Sequence, residues 1–165
     1  MALTKLGTAD ANTVGNLPAV GSVAPDFIFT SADMKDVKLA DYKGKNIVLN
    51  IFPSVDTRVC AASVHEFNKL AASVDNTVIL CVSKDLPFAQ KRFCGAAGVD
   101  SVYLVSDFRG RGFGKAYGVE LQDSSFAGLF ARAVVVIDPN GKVKYTELVP
   151  KIDEEPDYDS ALKAI

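Results

Sequence analysis

No stretch of this 165-residue chain is apolar for long enough to cross a bilayer as a helix, and the first twenty residues hold neither a charged leader nor a continuous apolar segment. The expectation is a cytoplasmic protein with no membrane partner. A basic surplus is missing too. Lys and Arg total 18 against 20 Asp and Glu, a formal net charge of −2, and no basic run is long enough to track a phosphate backbone. Nucleic acid is therefore not expected as a partner. Cysteine is scarce: Cys60, Cys81 and Cys94 are too few and too odd in number for a secreted disulfide framework. None is paired as Cys-x-x-Cys, the spacing of structural zinc sites. Histidine occurs once, at His65.

What is present is the composition of a soluble domain able to bury a core, with 48% hydrophobic and 23% charged residues. Residues 1–22, rich in Thr, Gly, Ala, Asp and Asn, read as a weakly patterned extension or a short hairpin. From there 23–165 read as one domain. Short strands are expected at 27–29 and 37–39, and a buried strand over 46–52. A helix capped by Asp56 or Thr57 follows, with Cys60, Val64, Phe67, Leu70, Ala71 and Val74 on one stripe and its end at Asn76. The β-branched run 77–82 predicts a strand covered on both faces. Asp85-Leu86-Pro87 opens a helix that Gly95 and Gly98 close just after Cys94. Strands at 102–105, 132–137 and 142–148 follow, the last two joined by the turn Asp138-Pro139-Asn140-Gly141, and a final helix starts at 156–158. This alternation predicts an α/β fold with a mixed central sheet flanked by helices.

The chemistry concentrates where the strand over 46–52 meets the helix after it. Cys60 falls in the first helical turn, where the dipole and free N–H groups favour an ionised sulfur. Thr57 can cap that helix and present its hydroxyl to the sulfur and to an incoming oxygen. Arg132 heads an otherwise apolar strand, where an unpaired guanidinium would cost on the order of 3–5 kcal/mol. It requires an anionic partner, either an acidic side chain or the Cys60 thiolate, since the ends of central strands converge on the ligand crevice of an open α/β sheet. His65 lies five residues beyond Cys60, roughly 140° around a helix, so neither a Cys-His hydrolase nor a His–Cys metal site is expected. Cys81, inside a buried strand, reads as core. Cys94, at a Gly-rich helix end, can unwind toward another sulfur.

Pro53, Thr57 and Cys60 give the Pro-x-x-x-Thr-x-x-Cys motif, and the chain resembles the peroxiredoxins. The segments 50–54, 59–63, 85–90, 92–95 and 131–138 resemble the bacterial thiol peroxidases, an atypical two-cysteine branch of that family, and the likeness extends over about 17–161. The resemblance implies a thioredoxin-like fold and reduction of hydrogen peroxide and organic hydroperoxides. It implies Cys60 as the peroxidatic cysteine, Cys94 as the resolving cysteine of the same chain, and Thr57, Arg132 and Pro53 around the peroxide. Thioredoxin is implied as reductant and a homodimer as the assembly, with contacts expected at 126–130 and near Cys60. Neither cofactor nor metal is needed, because sulfur carries the electrons. Two departures stand out: 7–14 has weak strand character where relatives open with a hairpin, and His65 replaces a common Arg or Lys. The rival readings are a peroxide-sensing redox switch protein, a thiol–disulfide oxidoreductase and an inert relative.

Overall fold

The run from Ile47 to Ile51, apolar except for Asn50, can leave neither face to water, and it becomes the middle of a sheet covered on both sides. The computed structural model describes residues 1–165. Its strands are β1 (Leu3–Leu6), β2 (Ala9–Asn12), β3 (Ile28–Thr30), β4 (Asp36–Lys38), β5 (Asn46–Ile51), β6 (Thr77–Ser83), β7 (Tyr103–Ser106), β8 (Ala133–Ile137) and β9 (Val143–Leu148). Its helices are α1 (Arg58–Leu70), α2 (Pro87–Ala97), α3 (Phe113–Ala116) and α4 (Tyr158–Lys163). Seven strands form one sheet in the order β4-β3-β7-β6-β5-β8-β9. Neighbours β5, β6 and β7 run parallel, while β8 lies antiparallel to β5 and β9, and β3 antiparallel to β4 and β7. The mixed α/β sheet expected from the alternation of elements is the one observed.

Alternate residues of β5 divide the core into two layers, as the pleat requires. Ile47, Leu49 and Ile51 join Phe27, Phe29, Phe113 and Tyr117 on one face. Val48 and Phe52 join Cys60, Val64, Phe67 and Ala161 on the other, beneath α1 and α4. There Phe67 meets Tyr158 edge to face, with ring centroids 5.1 Å apart.

Two boundaries differ from expectation. α1 stops at Leu70, and the stripe buries only Cys60, Val64 and Phe67 of its expected members. A 3-10 turn over Ala71–Ser73 and an extended Val74 follow, because the chain must turn to feed β6. Asn76 makes that turn at φ 50°, its amide donating to the Gly44 carbonyl at 2.9 Å. α2 continues three residues past Cys94 to its left-handed cap at Gly98, so Gly95 is helical and Cys94 lies within the helix rather than at its end. Residues 3–12 are an antiparallel hairpin, β1 with β2, one of the two forms expected of 1–22, and it forms despite weak alternation. Tertiary contacts order it. Thr4 donates to the Val149 carbonyl at 2.8 Å, and Ala11 packs with Leu121, Ala131 and Ile152.

Candidate active site

Where β5 ends, Phe52 still bonds the Val82 carbonyl of β6, and then the chain leaves the sheet through the buried Pro53. Proline has no N–H to leave unpaired in that exit. Ser54 turns the chain: its carbonyl accepts the Thr57 N–H and hydroxyl, both at 3.2 Å. Thr57, not Asp56, is the helix cap, with extended backbone and a side-chain oxygen 3.4 Å from the Cys60 N–H. The first turn of α1 therefore sets Cys60 against the sheet, 0% exposed.

Register brings Arg132 to the same place. Ile51 pairs with Ala133, so the residue ahead of β8 leaves the sheet at the end where Pro53 does. Arg132 is 1% exposed, and its Nη2 lies 3.2 Å from Cys60 Sγ. Its Nε donates to the Ile152 carbonyl at 2.7 Å, and Nη1 has no protein partner. No carboxylate bonds this guanidinium. Of the two partners the sequence left open for Arg132, the structure supplies the sulfur.

A cavity of about 230 Å³ lies beside this cluster, lined in part by Pro53, Thr57 and Arg132 and in part by Leu6, Phe126 and Ile152. The second group was not legible in the sequence as site residues. Leu6 arrives with the hairpin and Ile152 with the loop after β9, and nothing in their local pattern marks either. A larger cavity of about 310 Å³, near Tyr42, Lys45 and Asp138, lies at the opposite end of β5 and away from every cysteine.

The other two thiols differ from Cys60 and from each other. Cys81 is fully enclosed in β6, and burial pushes its thiol up to about 12 although the Asn50 amide donates to the sulfur at 3.6 Å. It is a core thiol that stays protonated at neutral pH. Cys94 is half-buried on α2, and burial raises its thiol above the ordinary value as well. All three sulfurs are free. His65 is exposed, its ring 5.8 Å from that of Phe93, so the structure brings no histidine to Cys60 as a base.

A buried cysteine at a strand-to-helix junction thus lies against a buried arginine on a mixed sheet. The Redoxin family model matches residues 19–162. Over 154 residues the chain is 57% identical to the thiol peroxidases of Mycobacterium tuberculosis and Mycobacterium bovis, covering 93% of this chain and 92% of theirs. Its structure superposes on a peroxiredoxin-like protein from Aquifex aeolicus with a TM-score of 0.93, at 38% identity, covering 99% of this chain and 96% of that one. A thiol peroxidase from Chromobacterium violaceum shares the fold at a TM-score of 0.91 and 21% identity, covering 99% and 95% of the two chains. The chain belongs to the redoxin family and, within it, to the thiol peroxidases of the peroxiredoxin branch.

Proposed function

We propose that the protein reduces hydrogen peroxide and organic hydroperoxides through a Cys60 sulfenic acid and a Cys60–Cys94 disulfide, and that thioredoxin returns the disulfide to two thiols. The observation that carries this reading is the 3.2 Å contact between Arg132 Nη2 and Cys60 Sγ, both residues being buried. The guanidinium sets a permanently charged donor on the sulfur that would attack oxygen. The sulfur takes the terminal oxygen, the O–O bond breaks, and the second oxygen leaves as alkoxide or hydroxide and picks up a proton. Arg132 Nη1, without a protein partner, is free to donate to the peroxide as negative charge develops on it. Thr57 and Pro53 bound the approach. The apolar walls at Leu6, Phe126 and Ile152 suit the hydrocarbon part of an organic hydroperoxide.

Cys94 thiol then displaces water from the sulfenic acid and forms the disulfide, which stops oxidation short of the sulfinic acid. Because Cys60 is wholly enclosed, the first turn of α1 must open for another sulfur to reach it. The proposed setting is a reducing compartment such as the cytoplasm, and the proposed assembly a homodimer.

The test is NADPH consumption coupled through thioredoxin and its reductase, with hydrogen peroxide and an alkyl hydroperoxide, in wild type, Cys60→Ser and Cys94→Ser. Peptide mapping after one equivalent of peroxide accompanies it. Turnover lost in both variants, with a Cys60–Cys94 peptide in wild type only, is the expected result. A Cys81–Cys94 link with Cys60 still reduced would overturn the reading. A stoichiometric disulfide without thioredoxin-coupled turnover would instead identify a redox switch.

A further inference from the structure

A chain of side-chain hydrogen bonds, used by none of the steps above, joins the segment of Cys60 to the helix of Cys94. At its centre is Asp85, two residues after β6. Its Oδ1 accepts the Ser54 hydroxyl at 2.7 Å, and its Oδ2 accepts the Val55 N–H at 2.9 Å. On this side the carboxylate grips the loop whose Ser54 carbonyl holds Thr57, the cap of the Cys60 helix. On the other side Oδ2 accepts the Ser83 hydroxyl at 2.6 Å, and that hydroxyl in turn accepts from Gln90 Nε2 at 3.2 Å. Gln90 is fully buried on α2, one turn ahead of Cys94, and Nε2 also donates to the Val105 carbonyl at 2.9 Å.

We infer that Asp85 is a positioning residue that couples the two cysteine segments, so that they loosen together between sulfenic acid and disulfide. The inference rests on the Cys60–Cys94 reading given above. Its physical basis is that one carboxylate is shared by both sides of the joint. Loss of the Ser54 and Val55 contacts leaves the same oxygen to Ser83 alone, and loss of the Ser83–Gln90 contact loosens the carboxylate that holds the loop. The joint is also incompletely satisfied when closed. Gln90 Oε1 is buried with no protein partner, a cost that opening to water removes. Closed, the joint keeps Thr57 and Cys60 in the geometry that meets peroxide. Open, it releases α1 and α2 toward each other.

Asp85→Asn tests this, since an amide keeps the size but offers one acceptor oxygen in place of two. Stopped-flow measurement separates the peroxide-dependent oxidation of Cys60 from the peroxide-independent formation of the disulfide. The expected result is oxidation slowed about tenfold, disulfide formation accelerated severalfold, and less sulfinic acid at excess peroxide. Amide exchange in the reduced variant is expected to rise together around 58–62 and 90–95 while β6 and β7 stay protected. Ser54→Ala, which removes the Oδ1 contact together with the Asp56 N–H bond to the same hydroxyl and leaves the Val55 contact in place, gives the same pattern more weakly and serves if Asp85→Asn does not fold. Both rate constants within twofold of wild type, or exchange raised in one segment alone, would overturn the coupling. Absence of a Cys60–Cys94 disulfide in wild type would instead defeat the underlying reading.

Discussion

Arg132 Nη2 lies 3.2 Å from Cys60 Sγ although 72 residues separate the two in the chain. The guanidinium is 1% exposed, meets no carboxylate, and keeps Nη1 unpaired beside the cavity. Arg132→Met is expected to slow Cys60 oxidation by a factor of about 10²–10³, the scale of losing one preorganised donor to a developing anion. Arg132→Lys keeps the charge but not the planar fork, and is expected to fall between that and wild type. Stopped-flow oxidation by hydrogen peroxide is the measurement. A rate for Arg132→Met within twofold of wild type would remove Arg132 from the chemistry.

Thr57 caps α1, and one pair of variants separates that job from the part proposed for it in the chemistry. Thr57→Ser retains the hydroxyl that caps α1 beside the cavity, whereas Thr57→Val retains the shape and loses the oxygen. Thr57→Val is expected to lose about 1 kcal/mol of stability and at least tenfold in oxidation rate, with Thr57→Ser close to wild type in both. Urea titration and the same kinetics check this. Equal rates for the two variants would confine Thr57 to its capping role.

Cys81 should make stability fall at alkaline pH. Its folded thiol is raised by burial to about 12, above the 9.0 of an ordinary thiol. The unfolded chain therefore loses this proton first. The stabilising contribution is complete below pH 9 and is lost as pH rises toward 12, with a slope of about 1.4 kcal/mol per pH unit. Urea unfolding of wild type and Cys81→Ala between pH 8 and 11 is expected to show that extra slope in wild type only. Parallel curves would mean that Cys81 ionises as easily in the fold as outside it.

Cys94 is raised in the same direction by burial. In the reduced protein its alkylation by iodoacetamide near pH 7.5 is expected to be slower than that of a free thiol, and to climb about tenfold per pH unit until pH exceeds its raised value. Mass spectrometry of the Cys94 peptide follows the reaction. A plateau already reached by pH 8 would show a thiol ionised more readily than burial allows.

Local pattern made much of this protein legible. The run from Ile47 to Ile51 had to be a covered strand, Thr57 three positions before Cys60 had to be a strong cap candidate, and the β-branched run from Thr77 had to be buried. Helix ends were less legible. The stripe of α1 continues in sequence through Leu70 and Val74, yet the need to enter β6 parallel to β5 stops the helix at Leu70. Gly95 reads as a breaker, and packing of α2 against β7 carries the helix through it to Gly98.

The sequence by itself determined the thiol at a helix start, the charged arginine that could not go unpartnered, and the off-face position of His65, because each follows from residue type and period within one element. Only the tertiary structure decided that the arginine's partner is the Cys60 sulfur. That choice follows from the register of Ile51 with Ala133, a pairing between strands distant in sequence. The same holds for the hairpin, whose residues lack alternation and are ordered by Val149, Ile152 and Leu121, and for the cavity walls at Leu6, Phe126 and Ile152. Asp85 belongs there too: its role depends on contacts to Ser54 and Val55 some 30 residues away, which no local spacing encodes.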